Sequence, residues 1–191
     1  MNIYDFDNTI FKGDSTACFY MYCLKKHPKI ICKVPSLITG VVKYYVLKKG
    51  TKTEFKEKMY QFLKFCNIER DVEDFWKVKI NNIKAWYKDQ QQKEDIIISA
   101  SPEFLLAVPC KMLGIKWLIA SRVNPVTGKY TGENCHGEEK VRRLYAEFPK
   151  DIVIDKFYSD SYSDTPLAKL AKQSYMVKGD SLSKWDFSKH K

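Results

Sequence analysis

The sequence predicts an α/β fold: a three-layer sandwich around a mostly parallel, Rossmann-like sheet, with a helical segment inserted after the first strand. Three observations carry this prediction. Ile96-Ile97-Ile98 is a continuous β-branched run, as expected of a strand buried on both faces of a parallel sheet. Strand-length apolar segments alternate with helix-length segments through the second half of the chain. Between the first strand and that half, apolar residues recur at helical spacing.

Taken in order, Asn2 to Phe6 is a short apolar stretch that reads as a strand delivering Asp5 to its carboxyl end. Lys12-Gly13-Asp14-Ser15 is a turn. From Thr16 to about Lys93, Phe55, Met59, Phe62 and Leu63, then Phe75, Val78, Ile83 and Trp86, follow helical spacing, broken at Pro28, Pro35, Gly40 and Gly50. The expected organisation is a core built from residues 1–13 and 94–191, with 14–93 as a helical cap domain. Asp95 to Ser99 is the buried strand, and Ser101-Pro102-Glu103 supplies an N-cap, a first-turn proline and a first-turn acid for the next helix. Lys116–Val123 and Lys129–Thr131 flank Thr127-Gly128 as a hairpin. Gly137–Phe148 is helical, Ile152–Tyr158 a strand, Thr165–Lys172 helical and Ser174–Val177 a last strand.

With 191 residues, 45% hydrophobic and 14% aromatic, the chain holds enough core-forming residues to exclude a disordered protein and to build one core domain with a modest insertion. Met1-Asn2-Ile3-Tyr4 lacks the basic start and long apolar stretch of a secretory signal, so a cytoplasmic location is expected. The net charge of +10 is uneven: Leu24 to Lys93 carries 17 Lys and Arg against 7 Asp and Glu, and the remainder carries 16 against 16. Such a field attracts phosphorylated metabolites, an acidic membrane surface or nucleic acid. Cys18, Cys23, Cys32, Cys66, Cys110 and Cys135 form no Cys-x-x-Cys pair and no matching histidine spacing, so buried free thiols are expected rather than a zinc site or a disulfide frame.

Four sites fall at strand ends or helix starts, where open α/β sheets bind ligands. Asp5-Phe6-Asp7-Asn8-Thr9 can aim two carboxylates at one point, because residues two apart in an extended segment share a side. An acidic turn after a strand would look the same. Ser99 ends the isoleucine run next to a helix start, a phosphate cradle or a plain N-cap region. Lys140, in the first turn of the Gly137 helix, opposes the helix dipole, which suggests a task beyond helix stability unless Glu138 and Glu139 merely balance it. Asp160 and Asp164, in Asp160-Ser161-Tyr162-Ser163-Asp164, follow a strand as hard-cation ligands do, although Asp164 could equally cap the next helix.

In the order acid pair, Ser, Lys, acid pair, these motifs resemble those of the haloacid dehalogenase superfamily over nearly the whole chain. More narrowly, Asp-x-Asp-x-Thr, Ser-Ala-Ser-Pro, and Gly-Glu-x-Lys followed by Asp-Ser-x-x-Asp resemble its phosphoserine-phosphatase-like subgroup, subfamily IB. The resemblance implies a phosphatase in which Asp5 attacks phosphorus to form an aspartyl-phosphate and Asp7 is the acid/base. It implies Mg²⁺ bound by Asp5, the Asp7 carbonyl and Asp160, with Asp164 close behind. Thr9, Ser99 and Lys140 would form the phosphate-binding set, Ser99 and Lys140 by binding phosphate oxygens and Thr9 by positioning the loop. Dehalogenases of the superfamily need no acid two residues after the nucleophile, so Asp7 favours phosphorus over carbon.

Relatives specific for phosphoserine carry an acid early in the cap and an arginine deeper in its helices. Asp14 stands where the acid is expected, whereas the arginine's region reads Glu54-Phe55-Lys56-Glu57-Lys58, and lysine does not reproduce the bidentate fork. Asp14 and Lys58 are thus the candidate specificity residues. The run Val34 to Leu47, bordered by Lys29, Lys33, Lys48 and Lys49, is too short and too charged to span a membrane but could lie on an acidic one. Ordinary cap core is the more economical reading. Some relatives with this kind of cap resemble phosphatidylglycerophosphatases, so the resemblance implies a substrate that is phosphoserine-like or phosphatidylglycerophosphate-like. The alternatives are a phosphomutase or other phosphotransferase, and a catalytically silent anion- or nucleic-acid-binding protein using Tyr44, Tyr45, Trp76 and Trp86. Intact catalytic positions count against the silent protein and so against nucleic acid.

Overall fold

Alternation of side chains along the strands lets one sheet support two cores. The computed structural model describes residues 1–33, 39, 44, 48 and 52–189. Among these, β1 (Asn2–Tyr4), β2 (Ile96–Pro102), β3 (Trp117–Ser121), β4 (Ile154–Ser159), β5 (Ala171–Lys178) and β6 (Ser181–Lys184) form one sheet in the order β3-β2-β1-β4-β5-β6. Only the β5–β6 pairing is antiparallel. Successive residues face opposite sides. Tyr4, Ile97, Tyr158 and Val177 therefore enter one core, and Ile3, Ile96, Ile98, Phe157 and Met176 enter the other. Burial on both faces is what the isoleucine run requires.

The inserted segment contributes α1 (Ser15–Lys26), α2 (Lys52–Met59), α3 (Ile68–Lys79) and α4 (Ala85–Gln90), with 3₁₀ turns at Pro28–Lys33, Tyr60–Phe65 and Ile80–Asn82. In α3 the Asn67 side chain accepts from Arg70 N, Glu69 and Asp71 occupy the first turn, and Lys77 and Lys79 the last, all complementing the helix dipole. Its buried face, Val72, Phe75 and Trp76, joins Phe19 and Phe62 from the same segment and Phe6, Phe11, Leu105 and Leu106 from the sheet side in one hydrophobic cluster. Trp76 Nε1 donates to Leu105 O at 2.7 Å. Then come α5 (Glu103–Met112), α6 (Glu138–Glu147) and α7 (Thr165–Ala168). Leu144 of α6 and Leu167 and Ala168 of α7 pack into the second core.

Tyr4, Tyr158 and Tyr175 stand in register on neighbouring strands and stack at 4.8 and 5.1 Å between ring centroids, with Trp86 and Tyr87 of α4 against them. Strand order reverses about β1: β2 and β3 lie on one side, β4 and β5 on the other. A crevice therefore opens at the carboxyl ends of β1 and β4, the usual place for a site in such a sheet.

Several expectations are corrected. All six thiols are free, but only Cys23, Cys110 and Cys135 are buried, and Cys32 is exposed. The helix after β2 begins at Glu103, and Ser101 is not its N-cap, because a register shift between Ser99 and Pro102 keeps Ser101 in the strand. The helix expected over Thr165–Lys172 stops at Ala168, since Ala171 must pair with Ile154 to start β5. β6, joined to β5 through Gly179-Asp180, is an additional strand. The 116–131 hairpin is reduced to one antiparallel bridge, Val123 with Tyr130. The apolar run 34–47 lies outside the described residues except Thr39 and Tyr44, as does Lys49. No helix among the described residues is long and apolar enough to cross a membrane.

Candidate active site

β1 ends at Tyr4, and Asp5 N extends its ladder by donating to Tyr158 O at 2.9 Å. The chain then curls tightly: Ile10 N and Phe11 N both donate to Phe6 O, and Asn8 adopts a positive φ of 55°. Lys84, itself buried, donates from Nζ to Asn8 O and to Gly179 O, tying this loop to the β5–β6 turn. The curl sets Asp5 and Asp7 against one cavity of about 470 Å³, which Asn8, Asp14, Ser99, Ser101, Lys140, Asp160 and Asp164 also line. The structure thus brings together five predicted residues from four chain segments with the acid pair's own loop.

Lys140 is 2% exposed, and its ammonium donates at 2.7 Å to both Asp5 Oδ1 and Asp164 Oδ2. This bridge accounts for a lysine in the first turn of α6, where the dipole alone disfavours it. It also shows that the Asp164 carboxylate does not cap α7; Oδ2 instead accepts from Lys140 and from Ser159 Oγ at 2.7 Å. The turn into α6 needs Gly137, at φ 60° and ψ −128°, a backbone conformation essentially reserved for glycine. Thr9 is fully buried and does not line the cavity. Its hydroxyl donates to Asp5 Oδ2 at 3.4 Å and accepts from Asp160 N at 3.0 Å, joining the first loop to the fourth.

Asp7 accepts from Ser15 N at 2.6 Å and from Ser101 Oγ at 2.5 Å. Burial pushes its carboxyl up to about 6, with Asp14 adding to the shift and the two hydrogen bonds opposing it. Asp5 is pushed up to about 7 by burial, against the pull of Lys140. Asp160 is raised, again first by burial and then by Asp164. Four carboxylates, Asp5, Asp7, Asp160 and Asp164, thus share a cavity with Lys140 and Lys56. Asp164 Oδ1 is buried without a hydrogen-bond partner. A carboxylate-rich oxygen donor set with an orphaned buried oxygen fits a hard divalent cation.

On the inserted side, Asp14 lines the cavity and also caps α1 by accepting from Ala17 N at 2.8 Å. Lys56, and not Lys58, is the α2 lysine that lines it. Its ammonium donates at 3.0 Å to Ala100 O and Asn134 Oδ1. Met59 and Tyr60 line the cavity from the same side, and His136 lines it from beside Gly137. Sequence reasoning missed Lys56, His136 and Lys84, and it read Ser101 as a helix cap rather than as the partner of Asp7. His136 was within reach, since it directly precedes the Gly137 motif; Lys84 gave no local signal, because both its acceptors are distant in sequence.

The family model described as haloacid dehalogenase-like hydrolase matches residues 3–169. Protein CicA of Caulobacter vibrioides is 26% identical over 186 residues, covering 89% of this chain and 82% of that protein. Among solved structures, a Bordetella pertussis protein of unknown function superposes with a TM-score of 0.70 at 19% identity, covering 91% of this chain and 87% of that one. A phosphoserine phosphohydrolase-like protein of Francisella tularensis superposes with a TM-score of 0.53 at 16% identity, covering 91% and 86%. With the family match running from β1 through Asp164, and so through every motif of the site, the chain belongs to the haloacid dehalogenase-like hydrolases, with a phosphoserine-phosphatase-like fold.

Proposed function

We propose that the chain is a Mg²⁺-dependent phosphatase that hydrolyses a small or headgroup-sized phosphomonoester through an aspartyl-phosphate on Asp5. The observation that carries this reading is the Lys140 bridge between Asp5 and Asp164 beside a second, separately held carboxylate, Asp7. Lys140 holds Asp5 Oδ1, which leaves Oδ2, with only a long contact to Thr9, to attack phosphorus. The P–O bond to the leaving group breaks as the Asp5–phosphorus bond forms. Asp7, raised to about 6, retains a proton long enough to give it to that leaving oxygen, and the same carboxylate then takes a proton from the water that cleaves the acyl phosphate. Ser15 N and Ser101 Oγ fix its orientation through both steps. The Ser99 hydroxyl and the Lys140 ammonium are the groups available to phosphate oxygens as charge builds up. Asp5, Asp160, the Asp7 carbonyl and Asp164 would hold Mg²⁺, which supplies charge neutralisation for the phosphoryl group.

In this reading residues 14–93 act as the cap that selects the substrate, with Asp14 and Lys56 facing the leaving group. An ammonium in place of a guanidinium recognises an anionic or polar carrier as a point charge, without bidentate fit. The test is hydrolysis of para-nitrophenyl phosphate with Mg²⁺ and with EDTA, followed by acid-quenched mass spectrometry. Metal-dependent turnover and phosphate on Asp5 are expected. Full activity in EDTA, or phosphate on another residue, overturns the proposal.

A further inference from the structure

The fold assembles a second cluster of metal-ligating groups, which shares no residue with the catalytic cavity. Cys23, Cys66 and Asp71 are 43 and 5 residues apart in sequence, yet one ligand atom of each lies within 4.8 Å of the others. No other group of three or more histidine, cysteine or acidic ligands among the described residues meets that condition. From this arrangement we infer that Cys23, Cys66 and Asp71 form a binding site for a thiophilic transition-metal ion of the zinc class.

The donors suit that ion and not Mg²⁺: thiolates are soft ligands that select zinc-like ions, and zinc takes Cys, His and Asp in tetrahedral sites. Cys23 lies on α1 and is fully buried, Cys66 directly follows the Tyr60–Phe65 turn and is half-buried, and Asp71 lies in the first turns of α3. An ion here would join three separate segments of the insertion, with Cys66 on the side of entry. Asp71 is already oriented as a ligand should be. His27, one turn beyond Cys23, places Nε2 2.7 Å from Asp71 Oδ2, and Asn67 N donates to the same oxygen at 3.0 Å. Lys26 Nζ lies 2.8 Å from Oδ1, which keeps lone-pair capacity for a metal. Such outer partners position ligands and tune affinity.

The charges close as well. Binding expels the two thiol protons to solvent, leaving two thiolates and one carboxylate around a dication, a net single negative charge facing the Lys26 ammonium. Metal binding therefore competes with protons and is coupled to the stability of the folded insertion.

The probe is Co²⁺ added to the full-length protein after reduction and removal of metals by chelation, read by thiolate-to-cobalt charge-transfer absorbance. One equivalent per chain is expected, displaced by Zn²⁺, with a higher thermal midpoint in the bound form. Cys66→Ser and Cys23→Ser should each abolish the band, while Cys32→Ser and Asp5→Asn should keep it. His27→Ala should weaken Co²⁺ binding by roughly 10- to 100-fold, as expected for a residue behind a ligand. Cys66→Ser, a half-buried near-isosteric change, guards against misfolding, and its circular dichroism should match wild type. No band in the reduced wild-type protein, or a band that survives in Cys66→Ser, overturns the inference.

Discussion

Lys140→Met tests the electrostatics of the catalytic cavity most directly. The change keeps length and burial but deletes an ammonium that lies 2.7 Å from two buried carboxylates, Asp5 and Asp164. Removing one partner of a buried ion pair costs ~3–5 kcal/mol. At ~2–4 °C per kcal/mol for a chain of this size, Tm should fall by about 6–20 °C. The loss carries a pH signature. Asp5 is raised from 3.8 to about 7, and Lys140 is the strongest influence holding it down. Without Lys140 the folded-state value moves further up, while the unfolded value stays ordinary. Between the two, the folded chain holds a proton that the unfolded chain has released, so stability falls as pH rises. The deficit relative to wild type should therefore be smaller near pH 5 and grow above pH 7. Urea unfolding of both proteins at pH 5, 7 and 8.5 in EDTA, which removes any substitute cation, measures it. A deficit below ~1 kcal/mol at every pH would refute the reasoning.

Asp5→Asn should lower kcat by at least roughly 10³-fold while leaving Tm within a few degrees, since it removes the nucleophile but hardly changes volume; substantial residual turnover, with the variant sequenced and folded, sinks the mechanism. Asp7→Asn should cost about 10²–10⁴-fold with a poor leaving group and less with para-nitrophenolate, which needs no proton; equal losses on both substrates would exclude Asp7 as the acid. Wild-type protein in EDTA should lose stability as pH rises through the window from about 4 to 7, because Asp5 and Asp7 are both raised, to about 7 and about 6, and so bind protons in the folded state that the unfolded state gives up; a flat or rising profile over that window in denaturant titrations contradicts the burial of these two acids. Asp160→Ala should raise the Mg²⁺ concentration needed for half-maximal activity at least roughly tenfold, as expected when a site with few protein ligands loses one; an unchanged metal requirement removes Asp160 from the ligand set.

The residues of the candidate site were legible in the sequence wherever they coincide with a local break in pattern. Asp5 and Asp7 follow an apolar strand, Ser99 ends an isoleucine run, and Lys140 sits where a helix dipole disfavours it. The fold class was legible for the same reason, because burial on both sheet faces forces an all-apolar strand. What stayed hidden depends on contacts across long stretches of chain. Ser101 reads as a helix cap, and only the register shift after Ser99 turns its hydroxyl toward Asp7, 94 residues away. Lys84 reads as one of many basic residues until its two backbone acceptors are in place. The last helix was overextended because Leu170 and Ala171 continue an apolar pattern that strand pairing overrides. Cys23 and Cys66 have no telling spacing, and packing of α1 against the turn before α3 brings them together.

The insertion shares its hydrophobic core with the sheet, and this limits how freely it can be exchanged. Phe19, Phe62, Phe75 and Trp76 belong to the same buried cluster as Tyr4, Phe6 and Leu105. The boundary is also stitched by polar contacts: Lys56 to Ala100 O, Tyr130 N to Glu57 Oε1 at 2.9 Å, and Trp76 Nε1 to Leu105 O. Gly128 lies so close that a Cβ there would stand 2.6 Å from Tyr60 O. Grafting another relative's insertion onto residues 1–13 and 94–191 would thus cut through a packed interior instead of swapping a module at a hinge. Chimeras would need Phe6, Phe11, Leu105 and Gly128 redesigned together with the graft, and libraries that test the proposed role of the insertion in substrate selection are better confined to the cavity-lining positions Asp14, Lys56 and Met59.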